Sequence, residues 1–159
     1  SLTYMRGIPL FGTENSTQLG YLVHDIEKTV EDYAKFLGVP VPPITCTGEY
    51  EEAHTEYLGK PTKARCKQAF FDYEDLQLEL IEPDEEPSVW RQALDENGDG
   101  FHHIAFQIHD MEEKIKLGES MGMKLLQRGR WNGGHYAYLD ASDTLHTIVE
   151  LLENGDFEI

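Results

Sequence analysis

The chain has 159 residues, 40% of them hydrophobic and 27% charged, and its 30 acidic against 13 basic residues give a formal net charge of −17. That length suits one ordinary domain or two small halves sharing a core, and no apolar run approaches the roughly 20 residues of a membrane span. The negative charge opposes attraction to nucleic acid or anionic lipid, so neither is expected as a partner.

The N-terminal stretch SLTYMRGIPLFG has no apolar core of signal-peptide length, so no secretory address is expected and a cytoplasmic location follows by default. Residues 1–17 read as an N-terminal extension. From Gln18, QLGYL reads as a strand, followed by His-Asp and a helix in which Ile26, Val30, Tyr33, Ala34 and Leu37 form one apolar stripe and Gly38 is the stop. A strand is expected around residues 43 to 50. Cys46 and Cys66 are too few for a disulfide framework and form no CxxC pair, so both are read as reduced thiols. Lys63, Arg65 and Lys67 alternate along the next expected strand and would share one face, either a charged solvent face or a contact for an anionic substrate tail. AFFDYEDLQLELIEP then reads as a hairpin turning at Tyr73, Glu74 and Asp75. Residues 18–83 form the first unit, and the acidic, proline-rich Pro83 to Pro87 opens a linker over 84–100.

The second half repeats the first. HIAFQIHDMEEKI from His103 matches QLGYLVHDIEKTV from Gln18, 85 residues earlier, and each reads as strand, His-Asp, helix. The second helix has a weaker stripe of Met111, Ile115 and Gly118, with Asp110 and Glu113 at the spacing of a capping pair and Gly122 near its end. A strand around 123 to 130 and a turn at Trp131-Asn132-Gly133-Gly134 follow. AYLDASDTLHTIVELLEN from Ala137 then matches AFFDYEDLQLELIEP from Ala69 with three extra residues, which aligns Glu150 with Glu79. Residues 101–153 form the second unit and 154–159 a tail. Each unit reads as βαβββ, an α+β architecture built from two repeated modules.

Side chains alternate across a strand, so His103, Ala105 and Gln107 share one face of HIAFQI while Ile104, Phe106 and Ile108 take the other. The apolar face must meet the helices. His103 therefore points to the opposite side of the sheet, the repeat puts Gln18 on the equivalent side, and His102 is expected behind the strand. Glu79 in LQLELIE and Glu150 in TIVELL are each bracketed by apolar neighbours. Taken singly, either Glu is as readily a solvated strand residue, and a lone His is most often a core histidine with satisfied hydrogen bonds. Their joint placement points elsewhere. A buried carboxylate is costly unless it is paired, hydrogen-bonded or bound to metal. One amide oxygen, one imidazole and two carboxylates would hold a divalent ion with two octahedral positions left for water or substrate. Mixed oxygen and nitrogen donors suit zinc, nickel, cobalt, manganese or iron without choosing among them.

QLGYLVHDIEKTV, LQLELIEP, GFHHIAFQIHDMEE and IVELLE, in this order and spacing, resemble the vicinal oxygen chelate superfamily, which includes glyoxalase I, methylmalonyl-CoA epimerase, extradiol dioxygenases and bleomycin-resistance proteins; the resemblance covers roughly Gln18 to Leu152. It implies paired βαβββ modules forming a rolled mixed sheet around a central cup, with one divalent metal ion (zinc, nickel, cobalt or manganese) on Gln18, Glu79, His103 and Glu150. It also implies a metal-dependent isomerase or lyase of the methylmalonyl-CoA epimerase or glyoxalase I (lactoylglutathione lyase) type. Such an enzyme acts on a thioester or hemithioacetal by proton abstraction next to a carbonyl through an enolate or enediolate. Glu150 and Glu79 would be its bases, and the protein a homodimer. The epimerase type uses a further acid before the third strand, where Glu56 is nearest. The alternatives are a metal-free binding protein of the bleomycin-resistance kind and an iron-dependent extradiol dioxygenase, against which Gln18 in place of a first His argues.

Several residues stand outside this set. His24 and His109 follow the repeat to the helix entrances. His135 and His146 fall near the last hairpin, and His146 shares the strand parity of Glu150 and so is a pocket candidate. Tyr136 and Tyr138 read as packing residues, and Arg128 and Arg130 pose the same question as Lys63.

Overall fold

The computed structural model describes residues 11–13 and 17–155. Most of the expected N-terminal extension and tail lies outside them. Strand β1 (Thr17–Leu22) leads into α1 (Ile26–Leu37), whose N-terminus is capped by Asp25 accepting from the Lys28 backbone N–H. Ile26, Val30 and Ala34 are buried, and Gly38 at φ 69° ends the helix in the left-handed conformation that glycine adopts without strain.

The strand expected over residues 43 to 50 shrinks to β2 (Thr45–Cys46), followed by the single-turn helix α2 (Tyr50–Ala53). Pro40, Pro42 and Pro43 precede it and lack ladder donors. The short strands β3 (Glu56–Tyr57) and β4 (Lys60–Pro61) were not anticipated. They leave their own half: β3 pairs with β8 of the other, with Glu56 opposite Arg128. Strands β5 (Cys66–Tyr73) and β6 (Leu76–Pro83) form the expected hairpin. The segment read as a linker contains α3 (Val89–Asn97), capped by Ser88.

The second half comprises β7 (Gly100–Gln107), α4 (Met111–Ser120), β8 (Lys124–Trp131), β9 (Gly134–Asp140) and β10 (Ile148–Asn154). Among the described residues, ten strands form one mixed sheet in the order β2-β5-β6-β1-β7-β10-β9-β8-β3-β4, accompanied by four helices. Strands β1 and β7 meet antiparallel at its centre, while β1 pairs parallel with β6 and β7 parallel with β10. The two halves are thus related by a pseudo-twofold through the β1–β7 seam. The sheet curls into a half-barrel of the α+β class.

Each outer face has its own core. Helix α1 packs Ile26, Val30 and Ala34 against Ala69, Phe71 and Leu80, and α4 packs Met111 and Ile115 against Ala137, Leu139 and Leu151. The capping pair expected of Asp110 and Glu113 does not form: Asp110 sits at φ 58° and its side chain makes no cap. Glu153 of β10 accepts the Asp110 and Met111 backbone N–H groups instead, at 2.7 and 3.1 Å. Glu82 of β6 accepts the Ile26 N–H at 3.1 Å in the first half. The repeat therefore places two carboxylates on each of β6 and β10, one turned to the helix and one to the concave side. A third core of Leu22, Cys66, Ile81, Val89, Trp90, Leu94 and Tyr138 lies on that concave side.

Candidate metal centre and cup

Glu79, His103 and Glu150 come together at the centre of the concave face, from β6, β7 and β10. Their exposures are 4%, 0% and 5%. His103 Nε2 lies 3.3 Å from Glu150 Oε1 and 3.6 Å from Glu79 Oε1. All three atoms are sealed from solvent, and beyond these ion-pair contacts none has a partner in hydrogen-bond geometry among the described residues. The other Glu79 oxygen is held, since Gln68 donates its amide N–H to Oε2 at 2.7 Å. One donor atom from each of the three side chains is thus left pointing at a shared space, with the three within 4.8 Å of one another. Buried carboxylates and imidazoles left without hydrogen bonds are costly. A divalent cation accepts electron pairs from all three at once, so the donor set fits one.

Gln18 faces the same cavity from β1, as the repeat required. Its amide Nε2 donates to Gln77 Oε1 at 2.6 Å, which leaves the amide oxygen as its free donor.

Burial and neighbouring charge act on these groups in opposite directions. Burial draws His103 down, but the Glu150 carboxylate, with Glu79 behind it, overcomes this and raises it to about 9. For Glu150, loss of water raises the carboxyl above its ordinary value, while the His103 imidazole and a hydrogen bond from Tyr138 pull the other way.

His102 departs from its expected place behind the strand. The β1–β7 register pairs Gly20 with His103 and Tyr21 with Phe101, so a β-bulge leaves His102 without a partner across the seam. Alternation fails there, and the His102 ring turns toward His103, with their Nδ1 atoms 2.8 Å apart. Burial, together with His103, lowers His102 to about 3.

The cavity above the three residues has a volume of about 850 Å³ and takes its lining from both halves. Tyr138 packs in the concave-side core, as expected, where its hydroxyl accepts a 3.0 Å hydrogen bond from Trp90 Nε1 and its ring meets that of His103 edge-on at 5.0 Å. Tyr136 also lines the cavity and accepts from Gln127. Trp90 lies in the acidic, proline-flanked segment whose composition suggests a linker, and the apolar spacing of Val89, Trp90 and Leu94 is the signal that marks it as a helix.

The basic residues separate. Lys67 bonds Glu27 and approaches Glu82 on the helix side, Lys63 is exposed, and Arg65 reaches the cavity, where its Nε donates to the Thr47 carbonyl. They share no face because regular pairing begins only at Cys66. Arg128 pairs with Glu112 of α4, whereas Arg130 lines the cavity mouth and donates to the Glu52 carbonyl. Glu56 is not on the cavity wall; Glu49, Glu51 and Glu52 are. His146 is exposed at φ 61°, in the loop before β10, and borders a different cavity, so strand parity does not apply to it. His24 pairs with Asp99 at 2.5 Å, and His135 with Glu153 at 2.8 Å.

A curled sheet of paired βαβββ halves, with ligand-type side chains converging on its concave face, defines the class to which this chain belongs. The chain is a member of the Glyoxalase/Bleomycin resistance protein/Dioxygenase superfamily, whose model matches residues 17–138. It is 34% identical over 92 residues to the uncharacterized protein YqjC of Bacillus subtilis (strain 168), a match spanning 55% of this chain and 66% of that protein. Its fold is similar to that of methylmalonyl-CoA epimerase from Mycobacterium tuberculosis, with a TM-score of 0.65 and 19% identity over 96% of this chain and 95% of that one. It is also similar to a variant Streptomyces coelicolor methylmalonyl-CoA epimerase in complex with 2-nitronate-propionyl-CoA, with a TM-score of 0.61 and 22% identity over 91% and 99% of the two chains. Among the described residues no helix is long and apolar enough to cross a membrane.

Proposed function

We propose that the chain is a metal-dependent isomerase or lyase that moves a proton on a carbon next to a carbonyl, with a thioester or hemithioacetal as substrate. The observation that carries this reading is the convergence of three buried donor atoms, Glu79 Oε1, His103 Nε2 and Glu150 Oε1, without hydrogen-bond partners among the described residues. With the amide oxygen of Gln18 they would hold one divalent ion. Such an ion supplies stabilisation of the negative charge that develops on the substrate carbonyl oxygen.

The chain's own groups do the rest. Glu150 accepts the proton from carbon, and the C–H electron pair moves onto the carbonyl oxygen. Burial raises the basicity of Glu150, as a carbon base requires. Glu79 approaches from across the pseudo-twofold and, entering the cycle protonated, gives its proton to the opposite face of the same carbon, giving an epimer with the abstracted proton left on Glu150. On a hemithioacetal the proton held by Glu150 goes instead to the adjacent carbon while the hydroxyl proton passes to the former carbonyl oxygen, giving an isomer. Gln68 fixes Glu79 by its outer oxygen. Trp90 and Tyr138 wall the site and limit the entry of water. Arg65 and Arg130 at the mouth are the groups that would meet an anionic tail, although Glu49, Glu51 and Glu52 stand beside them. The reading includes a homodimer, which sedimentation of the purified protein checks.

The test is incubation of the cobalt- or zinc-loaded protein with methylmalonyl-CoA, and separately with the methylglyoxal–glutathione hemithioacetal, in D2O. Conversion with deuterium entering at the carbon beside the carbonyl is expected for one of them. A metal-loaded protein that exchanges neither points to another substrate. A protein that binds ligands but takes up no metal supports the binding-protein alternative.

A further inference from the structure

We infer that His102 is a positioning residue for His103, holding it in the one tautomer that presents Nε2 as a metal ligand. The inference rests on the metal site proposed above. It starts from the bulge in β7: the extra residue opposite Gly20 brings two consecutive imidazoles to the concave side of the seam. The rings stand almost perpendicular, at 89° with centroids 5.0 Å apart, and Nδ1 faces Nδ1 at 2.8 Å. Both are buried, His102 at 8% exposure and His103 at 0%.

That contact admits one hydrogen between the two nitrogens, so one ring donates and the other accepts. His103 Nε2 is committed by its surroundings. It faces Glu150 Oε1 and Glu79 Oε1, and as a ligand it must offer a lone pair there. A neutral imidazole carries a single N–H, which therefore sits on His103 Nδ1 and is donated to His102 Nδ1. The N–H of His102 then lies on its own Nε2. That atom is sealed from solvent, has no partner among the described residues, and belongs to a ring that lines a separate cavity of about 610 Å³ bordered by Phe101, Leu126 and Thr147. Tyr138 braces both rings edge-on, with centroids 5.6 Å from His102 and 5.0 Å from His103.

A ligating histidine usually donates its second N–H to a carboxylate or carbonyl, and loss of that partner weakens metal affinity by about 10–100-fold. In this chain a neighbouring imidazole takes that place, and the bulge exists to aim it.

The experiment titrates Co2+ into the intact protein and into His102→Phe and His102→Gln, following the cobalt absorption bands. Phe keeps the ring's packing and removes the acceptor, whereas Gln restores an acceptor oxygen. The expected result is an affinity loss of about 10–100-fold in His102→Phe, most of it regained in His102→Gln. A Phe variant that binds as tightly as the parent overturns the inference, as does a Gln variant no better than Phe. Long-range 1H–15N NMR of the zinc-loaded parent gives a readout independent of folding: the proton on His102 is expected on Nε2. Finding it on Nδ1 overturns the positioning role and leaves the metal site standing. A parent protein that binds no Co2+ overturns both.

Discussion

Gly20 on β1 stands directly opposite His103 on β7, and the space its missing side chain leaves is the space the imidazole fills. A Cβ built on Gly20 would collide with the ring's carbon and nitrogen atoms. His103 therefore reaches Glu79 and Glu150 only because the residue across the seam has no side chain. Gly20→Ala is expected to force the ring off its position and cost about 1–3 kcal/mol of stability, the usual range for overpacking. Metal affinity should fall with it. Denaturant melts and a Co2+ titration of the variant check both, and an unchanged affinity would contradict the account of the ring's seating.

Metal uptake should release a proton and strengthen with pH. Burial lowers the affinity of His103 for a proton, but Glu150 and then Glu79 more than reverse this and hold it near 9. At neutral pH the metal-free ring is consequently protonated, and Nε2 must lose its proton to become a ligand. Calorimetric titration with Co2+ in buffers of different ionisation enthalpy should find about one proton released per ion near neutral pH, with affinity rising up to about pH 9.

The metal-free fold should be most stable near the ordinary histidine pKa of 6.5. His103 is raised to about 9, so its stabilising contribution is fully present below 6.5 and is lost as pH climbs through about 9. His102 is lowered to about 3, chiefly by burial, so its contribution is present above 6.5 and is lost as pH falls toward 3. Glu150, raised by burial, adds stability only on the acid side and softens that limb. Melting temperatures of chelator-treated protein across this range should pass through a maximum. His102→Phe should flatten the acid limb selectively.

Glu150 and Glu153 lie three residues apart on one strand and should differ sharply in what they do to metal binding. Glu153 caps α4 and pairs with His135, so Glu153→Ala should cost about 1–3 kcal/mol and leave Co2+ binding intact. Glu150→Gln removes a buried ligand carboxylate, so it should abolish or strongly weaken binding, and because protonated His103 loses its main partner the metal-free fold should also lose stability at neutral pH. Paired melts and titrations of the two variants distinguish a strand that sorts its carboxylates by face from one on which either acid serves either role.

Much of this arrangement was legible because the chain repeats. Gln18 and His103 fix the two central strands, and Glu79 and Glu150 follow from the same alignment once alternation assigns their faces. The same E-x-x-E spacing contained Glu82 and Glu153, whose capping roles went unread because a carboxylate capping a helix from a neighbouring strand leaves no local signature. His102 was misplaced for a definite reason: alternation holds only while a strand pairs one for one, and the bulge opposite Gly20 breaks that count. The pairing of β3 with β8 was equally hidden, because Glu56 and Arg128 lie 72 positions apart with no pattern linking them. Arg65 and Lys67 separated because side-chain parity has no meaning before regular pairing begins.

If Glu79, His103 and Glu150 form one metal site, elemental analysis of the protein after Co2+ loading and exhaustive dialysis will find the ion and trace it to these three side chains. About one ion per chain is expected in the parent and far less in Glu79→Ala, His103→Ala and Glu150→Ala, each checked for folding by circular dichroism. A parent that retains no ion, or three folded variants that retain as much as the parent, would mean that these three residues do not form a metal site.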